Sequence, residues 1–152
     1  MIYKPCGVAC GILLIAFSPQ AAVAQNRWAR QVQSELQRAL HAARAHDGAQ
    51  TVLNKQGTLN QEESASFTVT LRQGVTYSIL GVCDEDCPRL RLVVATLTNS
   101  ELAMDRNSEN FPVLRFTPQV TAQYRIRVAV EECRVNPCWY AAGVIPETGQ
   151  ER

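Results

Sequence analysis

The residues best suited to chemistry lie in two short segments, Val82–Leu92 (VCDEDCPRLRL) and Cys133–Tyr140 (CRVNPCWY). The first brackets Asp84, Glu85 and Asp86 between Cys83 and Cys87, then sets Arg89 and Arg91 at alternate positions. The second runs from Cys133 to Cys138 and directly into Trp139 and Tyr140. Such segments admit a thiolate metal site, a redox pair or stapled loops. Zinc tetrathiolate sites are usually built from C-x2-C knuckles, whereas three and four residues intervene here. Thioredoxin-like exchange needs C-x-x-C in a βαβ context, and the sequence offers neither. Disulfides are the expectation.

Four cysteines allow three pairings. Crossed bridges would close loops of roughly 50 residues, worth about 4 kcal/mol in chain entropy, against about 2 kcal/mol for a five-residue loop. Stability alone favours crossing. Pairing follows geometry, however, and cysteines flanking a tight turn reach the required Cα separation without long-range constraint. Cys83–Cys87 and Cys133–Cys138 are the expected bridges, fixing loop shapes at strand ends.

The acids raise calcium, which needs about six to eight converging oxygens. Asp84, Asp86, Asp105 and Glu109 form the candidate set, with Glu85 nearby. Against it, Arg89 and Arg91 stand two apart on a strand and project from one face, where they would repel a cation. No metal and no cofactor is therefore expected. Arg89 and Arg91 are instead expected to pair with Asp105 or Glu109 through charge-assisted hydrogen bonds, arginine replacing the metal as local positive charge. An ordinary solvated face of mixed charge is the alternative.

Catalysis finds little material. His41 and His46 are the only histidines, and their spacing does not stack them on one helix face. No H-E-x-x-H, nucleophile elbow or glycine-rich phosphate loop is present. The paired acids Glu62-Glu63 and Glu131-Glu132 should point to opposite faces of their strands, whereas acid–base work needs convergence. No enzyme activity is expected.

The elements that must position these residues follow from periodicity. Lys4, the apolar run GVACGILLIAF and the small-x-small site Ala22-Val23-Ala24 read as a signal peptide over residues 1–24, with cleavage before Gln25. The run is too short for a spanning helix, which needs about 20 residues, so a periplasmic or secreted protein without a transmembrane anchor is expected. Cys6 and Cys10 leave with that segment. Of 15 basic and 14 acidic residues, only Lys4 lies in it, so 14 of each remain. That balance gives no support to nucleic-acid or anionic-membrane binding.

Asn26 to His46 reads as an amphipathic helix with Asn26 as its cap and Asp47-Gly48 as its stop. Its stripe of Trp28, Val32, Leu36 and Leu40 either packs on its own domain or docks a partner. From residue 49 to 147 the period changes to two. SASFTVTLR, VTYSILGV, LRLVVATL, ELAMD, PVLRF, YRIRVAV and WYAAGVI read as strands, QTVLN as a weaker one, and residues 148–152 as a flexible tail. Short strands with frequent turns predict a mainly β protein, an antiparallel β-sandwich preceded by one α-helix.

The order LNQEESASFTVTLRQGVTYSILGVCDEDC, LAMD, FPVLRFTP, AQYRIRV and CRVNPCWYAAGV resembles bacterial pre-peptidase C-terminal domains over residues 50–145. It is most similar to exported single-domain relatives with a GVCDxDC signature. The resemblance implies a non-catalytic, jelly-roll-like sandwich, often attached to secreted peptidases. Family members often continue the signature as D-x-D-L, and some related sandwiches bind calcium there. Here Arg89 and Arg91 replace those aspartates, Asp105 matches a later acid, and Glu109-Asn110 stand for an acidic pair.

Trp139 and Tyr140 are the candidate ligand surface, since exposed aromatics bring large amphipathic contact area. As strand neighbours, one should face the core and the other solvent or the helix. The expected function is binding of a protein, peptide or envelope glycan. The alternative is an inhibitor or chaperone-like domain acting on a secreted peptidase.

Overall fold

A computed structural model describes residues 20–47, 50–105, 107 and 109–147, with helix side chains described over residues 27–43. The expected leader up to residue 19, the stop at Gly48 and the tail 148–152 lie outside the described residues. One helix, α1 (Gln20–Asp47), precedes eight strands. These are β1 (Leu53–Leu59), β2 (Ser64–Leu71), β3 (Tyr77–Cys83), β4 (Arg89–Ala95), β5 (Glu101–Met104), β6 (Val113–Phe116), β7 (Ala122–Glu132) and β8 (Cys138–Pro146).

The strands form two four-stranded sheets, ordered β1-β8-β3-β6 and β2-β7-β4-β5, with every pair antiparallel. The mainly β sandwich predicted from period-two patterning is the fold observed. Alternate residues of β7 and β4, Tyr124, Ile126, Val128 and Val130 with Leu90, Leu92 and Val94, meet Tyr77, Ile79, Tyr140, Ala142 and Val144 from the facing sheet. Gly74, at a φ of 75°, turns the chain between the sheets, and its N–H donates to Pro118. A side chain at that φ would be strained. Tyr124 folds its hydroxyl back to the Val120 carbonyl at 2.8 Å, fixing the entry to β7.

The helix covers the outer face of the β1-β8-β3-β6 sheet. Val32, Leu36 and Leu40 are at most 1% exposed and pack with Leu80, Val82, Ala141 and Ile145. This corrects the partner-docking expectation for these three residues: their stripe is spent on the chain's own sheet. The sheet supplies a matching apolar face because β8 and β3 are buried on both sides. Gly143 makes the seam close, since a Cβ there would lie 3.2 Å from Leu40 and 3.3 Å from Leu36. No described helix is long and apolar enough to cross a membrane.

Two boundaries differ from the periodicity reading. The helix as described already runs from Gln20, ahead of Asn26, so Asn26 lies inside it rather than at a cap; the preceding QAAVAQ is rich in strong helix formers. β1 runs Leu53–Leu59 rather than over QTVLN. As an edge strand it buries only Leu53 and Leu59, so it lacks the alternation that marks its neighbours.

Glu147 ties three strands at the opposite edge. It accepts from Ser78 Oγ at 2.6 Å and from Arg115 Nε at 2.8 Å, while its N–H donates to Thr76. The Arg115 guanidinium, helped by Ser78, holds its carboxyl below the ordinary glutamate range. Such a group stabilises the fold above the unfolded pKa and loses that contribution as pH falls through the lower folded value. Glu147→Gln is expected to cost about 0.5–1 kcal/mol near neutrality, Arg115 being well solvated. Urea denaturation at pH 7 and pH 3 checks this: the difference from wild type should shrink in acid.

Candidate binding cleft between the cysteine loops

The first cysteine loop begins where β3 ends. Cys83 and Cys87 are joined with an S–S distance of 1.99 Å and a Cα separation of 5.6 Å. Cys133 and Cys138 are joined at 2.10 Å and 5.9 Å, closing the β7–β8 loop. Both Cα separations are ordinary for disulfides.

Asp84 locks the loops together. It is 2% exposed. Its Oδ2 accepts the Trp139 N–H at 2.7 Å and its Oδ1 the Asp86 N–H at 3.2 Å. Its own N–H donates to Trp139 O, and its carbonyl accepts from Cys87. Burial pushes this carboxyl above the ordinary aspartate range, with the two backbone donors opposing that effect. The second loop is braced from two further sides. Arg134 N–H donates to Asp86 O at 2.7 Å. Gln61 donates its N–H to Asn136 Oδ1 at 2.9 Å, while its Oε1 accepts the Cys133 N–H. Short bonded loops pinned at several points hold their shape without help from a large core.

Between these loops and the helix lies a cleft of about 400 Å³. Trp28 comes from α1, Thr58 from β1, Asp84 and Asp86 from the first loop, Val135, Asn136 and Pro137 from the second, and Trp139 from β8. Val135 is 62% exposed at the rim. Both indoles are part-buried, and Trp28 has the Arg27 guanidinium 4.9 Å from its ring centroid. Trp139 faces outward because β8 alternates: Cys138, Tyr140 and Ala142 enter the sandwich, whereas Trp139 and Ala141 meet the helix side. Tyr140 is therefore no ligand surface. It is 4% exposed, sits 6.5 Å from Phe67 between ring centroids, and burial raises its pKa.

The candidate calcium acids do not converge. Asp84 and Asp86 line this cleft, whereas Asp105 and Glu109 line a separate pocket of about 250 Å³ with Phe111 and Pro112. Asp105 is buried, and its carboxylate accepts the Leu92 N–H. Among the described residues no group of three or more His, Cys, Asp or Glu is placed to hold a metal. Arg89 and Arg91 also meet acids other than those expected. Arg91 Nη2 lies 2.7 Å from Glu131 Oε1, and Arg89 Nε lies 3.9 Å from Glu131 and 4.0 Å from Glu132. β4 pairs with β7, and the register shift between Arg89 and Leu90 lets both adjacent acids approach Arg89. The rule that neighbouring acids diverge fails at that bulge.

Sequence reasoning missed the meeting of Trp28 with Trp139 and the role of Asp84. An aspartate two residues before an available N–H is a known local acceptor, so Asp84–Asp86 carried a signal. The pairing of Trp28 with Trp139 carried none, because it depends on where α1 crosses β8.

Fold and cleft together define a disulfide-braced antiparallel sandwich with a helix docked across one sheet. No family model and no curated protein matches the chain. Its fold is similar to that of PliG, a periplasmic inhibitor of g-type lysozyme from Aeromonas hydrophila, at 13% identity and a TM-score of 0.48 over 64% of this chain and 88% of that one. It is similar also to the pre-peptidase C-terminal domain of a Bacillus anthracis collagenase, at 14% identity and a TM-score of 0.48, over 60% of this chain and 87% of that one.

Proposed function

We propose that the chain is an exported, non-catalytic binding module whose cleft between the cysteine loops receives a protein, peptide or envelope glycan. The observation that carries this reading is the convergence of Trp28 and Trp139, from opposite ends of the chain, on one cleft walled by two disulfide-closed loops. Rigid aromatic anchors are the side chains that most often dominate binding energy. A braced cleft also loses little conformational entropy on binding. Asp84 supplies architecture rather than acid–base chemistry, both its oxygens being committed to backbone donors.

Tryptophan fluorescence, titrated with basic, acidic and neutral peptides and with neutral oligosaccharides, tests the reading. A saturable shift is expected with one ligand class, and Trp28→Ala should weaken it at least tenfold, a loss typical of a central aromatic anchor. Melting curves of the variant confirm that it folds. Binding indifferent to both Trp28→Ala and Trp139→Phe, or steady turnover of a hydrolase substrate panel, would overturn it.

A further inference from the structure

We infer that the cleft selects a positively charged side chain, an arginine or lysine on an extended basic segment of a partner protein, with Asp86 as counter-charge and the Trp139 indole as platform. The inference rests on the binding-module reading and adds the chemistry of the ligand. Two carboxylates and no cationic side chain line the cleft. Asp84 is saturated by backbone donors. Asp86 differs: its backbone is engaged through its N–H and carbonyl, yet its half-buried carboxylate makes no hydrogen bond or ion pair among the described residues. The Asn136 carbonyl oxygen is already taken by Gln61. The strongest open polar group is thus an ionised acceptor, which suits a ligand that brings donors and positive charge.

The aromatic walls favour the same ligand. Guanidinium and ammonium groups are drawn to indole faces, and Trp28 already holds one in Arg27. Trp139 has no such occupant among the described residues. The arginines that flank the cleft in sequence, Arg27 and Arg134, are exposed. Asp84 and Arg134 pin the Asp86 backbone from both sides, which fixes where on the cleft wall its carboxylate is attached. A neutral sugar would leave that charge unanswered.

The test uses the full chain and three probes: a blocked peptide of alternating arginine and glycine, the same peptide with glutamine for arginine, and a neutral chito-oligosaccharide. Affinities are measured calorimetrically for wild type, Asp86→Asn, Glu85→Gln, Trp28→Ala and Trp139→Phe. The arginine peptide should bind best, and Asp86→Asn should weaken it about ten- to a hundredfold, as expected for a hydrogen bond between charged groups. Glu85→Gln removes the same charge from an exposed neighbour outside the cleft lining and should change affinity less than about threefold. Equal binding of arginine and glutamine peptides, or equal losses in Asp86→Asn and Glu85→Gln, would overturn the inference. Oligosaccharide binding that Trp28→Ala abolishes and Asp86→Asn leaves intact would overturn it while sparing the binding-module reading. Failure of every probe to bind, or binding that neither Trp28→Ala nor Trp139→Phe weakens, would overturn both.

Discussion

Leu36→Ala is expected to lower the unfolding free energy by about 2–5 kcal/mol, the range for truncating a fully buried leucine. Leu36 has no exposed surface, and its neighbours are fixed on a sheet that cannot collapse inward to fill the void. Gly143 already sits against it with no side chain of its own to expand. Arg38→Ala, at an exposed position two residues further along the same helix, should change stability by less than about 0.5 kcal/mol. Guanidinium denaturation followed by circular dichroism measures both. If the two variants behave alike, α1 does not pack on its own sheet, and the stripe of Val32, Leu36 and Leu40 becomes available to a partner.

Asp84→Ala should be comparably damaging, about 2–4 kcal/mol, because it strands the N–H groups of Trp139 and Asp86 in a buried site. Asp84→Asn retains one carbonyl acceptor and should lose roughly half as much. The pH dependence gives a separate check. The folded pKa of Asp84 is raised, so the folded state takes up its proton before the unfolded chain does. Its contribution therefore improves as pH falls through that window, the reverse of Glu147. Comparing Asp84→Asn with wild type across that range should show the gap widening in acid. A gap that narrows would mean that hydrogen bonding, rather than burial, governs this carboxyl.

These two residues also show what the sequence could and could not reveal. Leu36 was legible as core because helical spacing marks a face, although the surface receiving it was not. That surface belongs to β3 and β8, whose residues are buried on both sides and so show continuous apolar runs, LGVC and YAAGVI, instead of alternation. β2 and β7 were clear because each has one solvated face, with Thr68, Thr70, Gln123 and Arg125 marking it. Asp84 sat in plain view, but only as a member of a candidate calcium set that Arg89 and Arg91 argued against. Only the burial and direction of its oxygens separate a ligand from a lock. The acids that meet Arg89 and Arg91 could not be guessed, since a register shift of one residue chose Glu131 and Glu132. The cleft was half legible. Trp139 was nominated with Tyr140, and strand alternation required that they part, but nothing local placed Trp28 opposite.

The seam between α1 and β8 joins the first described element of the chain to the last. A ribosome delivers them in that order, so the helix must wait with its apolar stripe uncovered until the final strand has been made. The sandwich cannot close early either, because β8 lies between β1 and β3 in its sheet. Every product that stops short of Cys138 lacks both the sheet's centre and the floor beneath the helix. Completion of this fold thus waits on the last described strand and is a single late event rather than gradual growth.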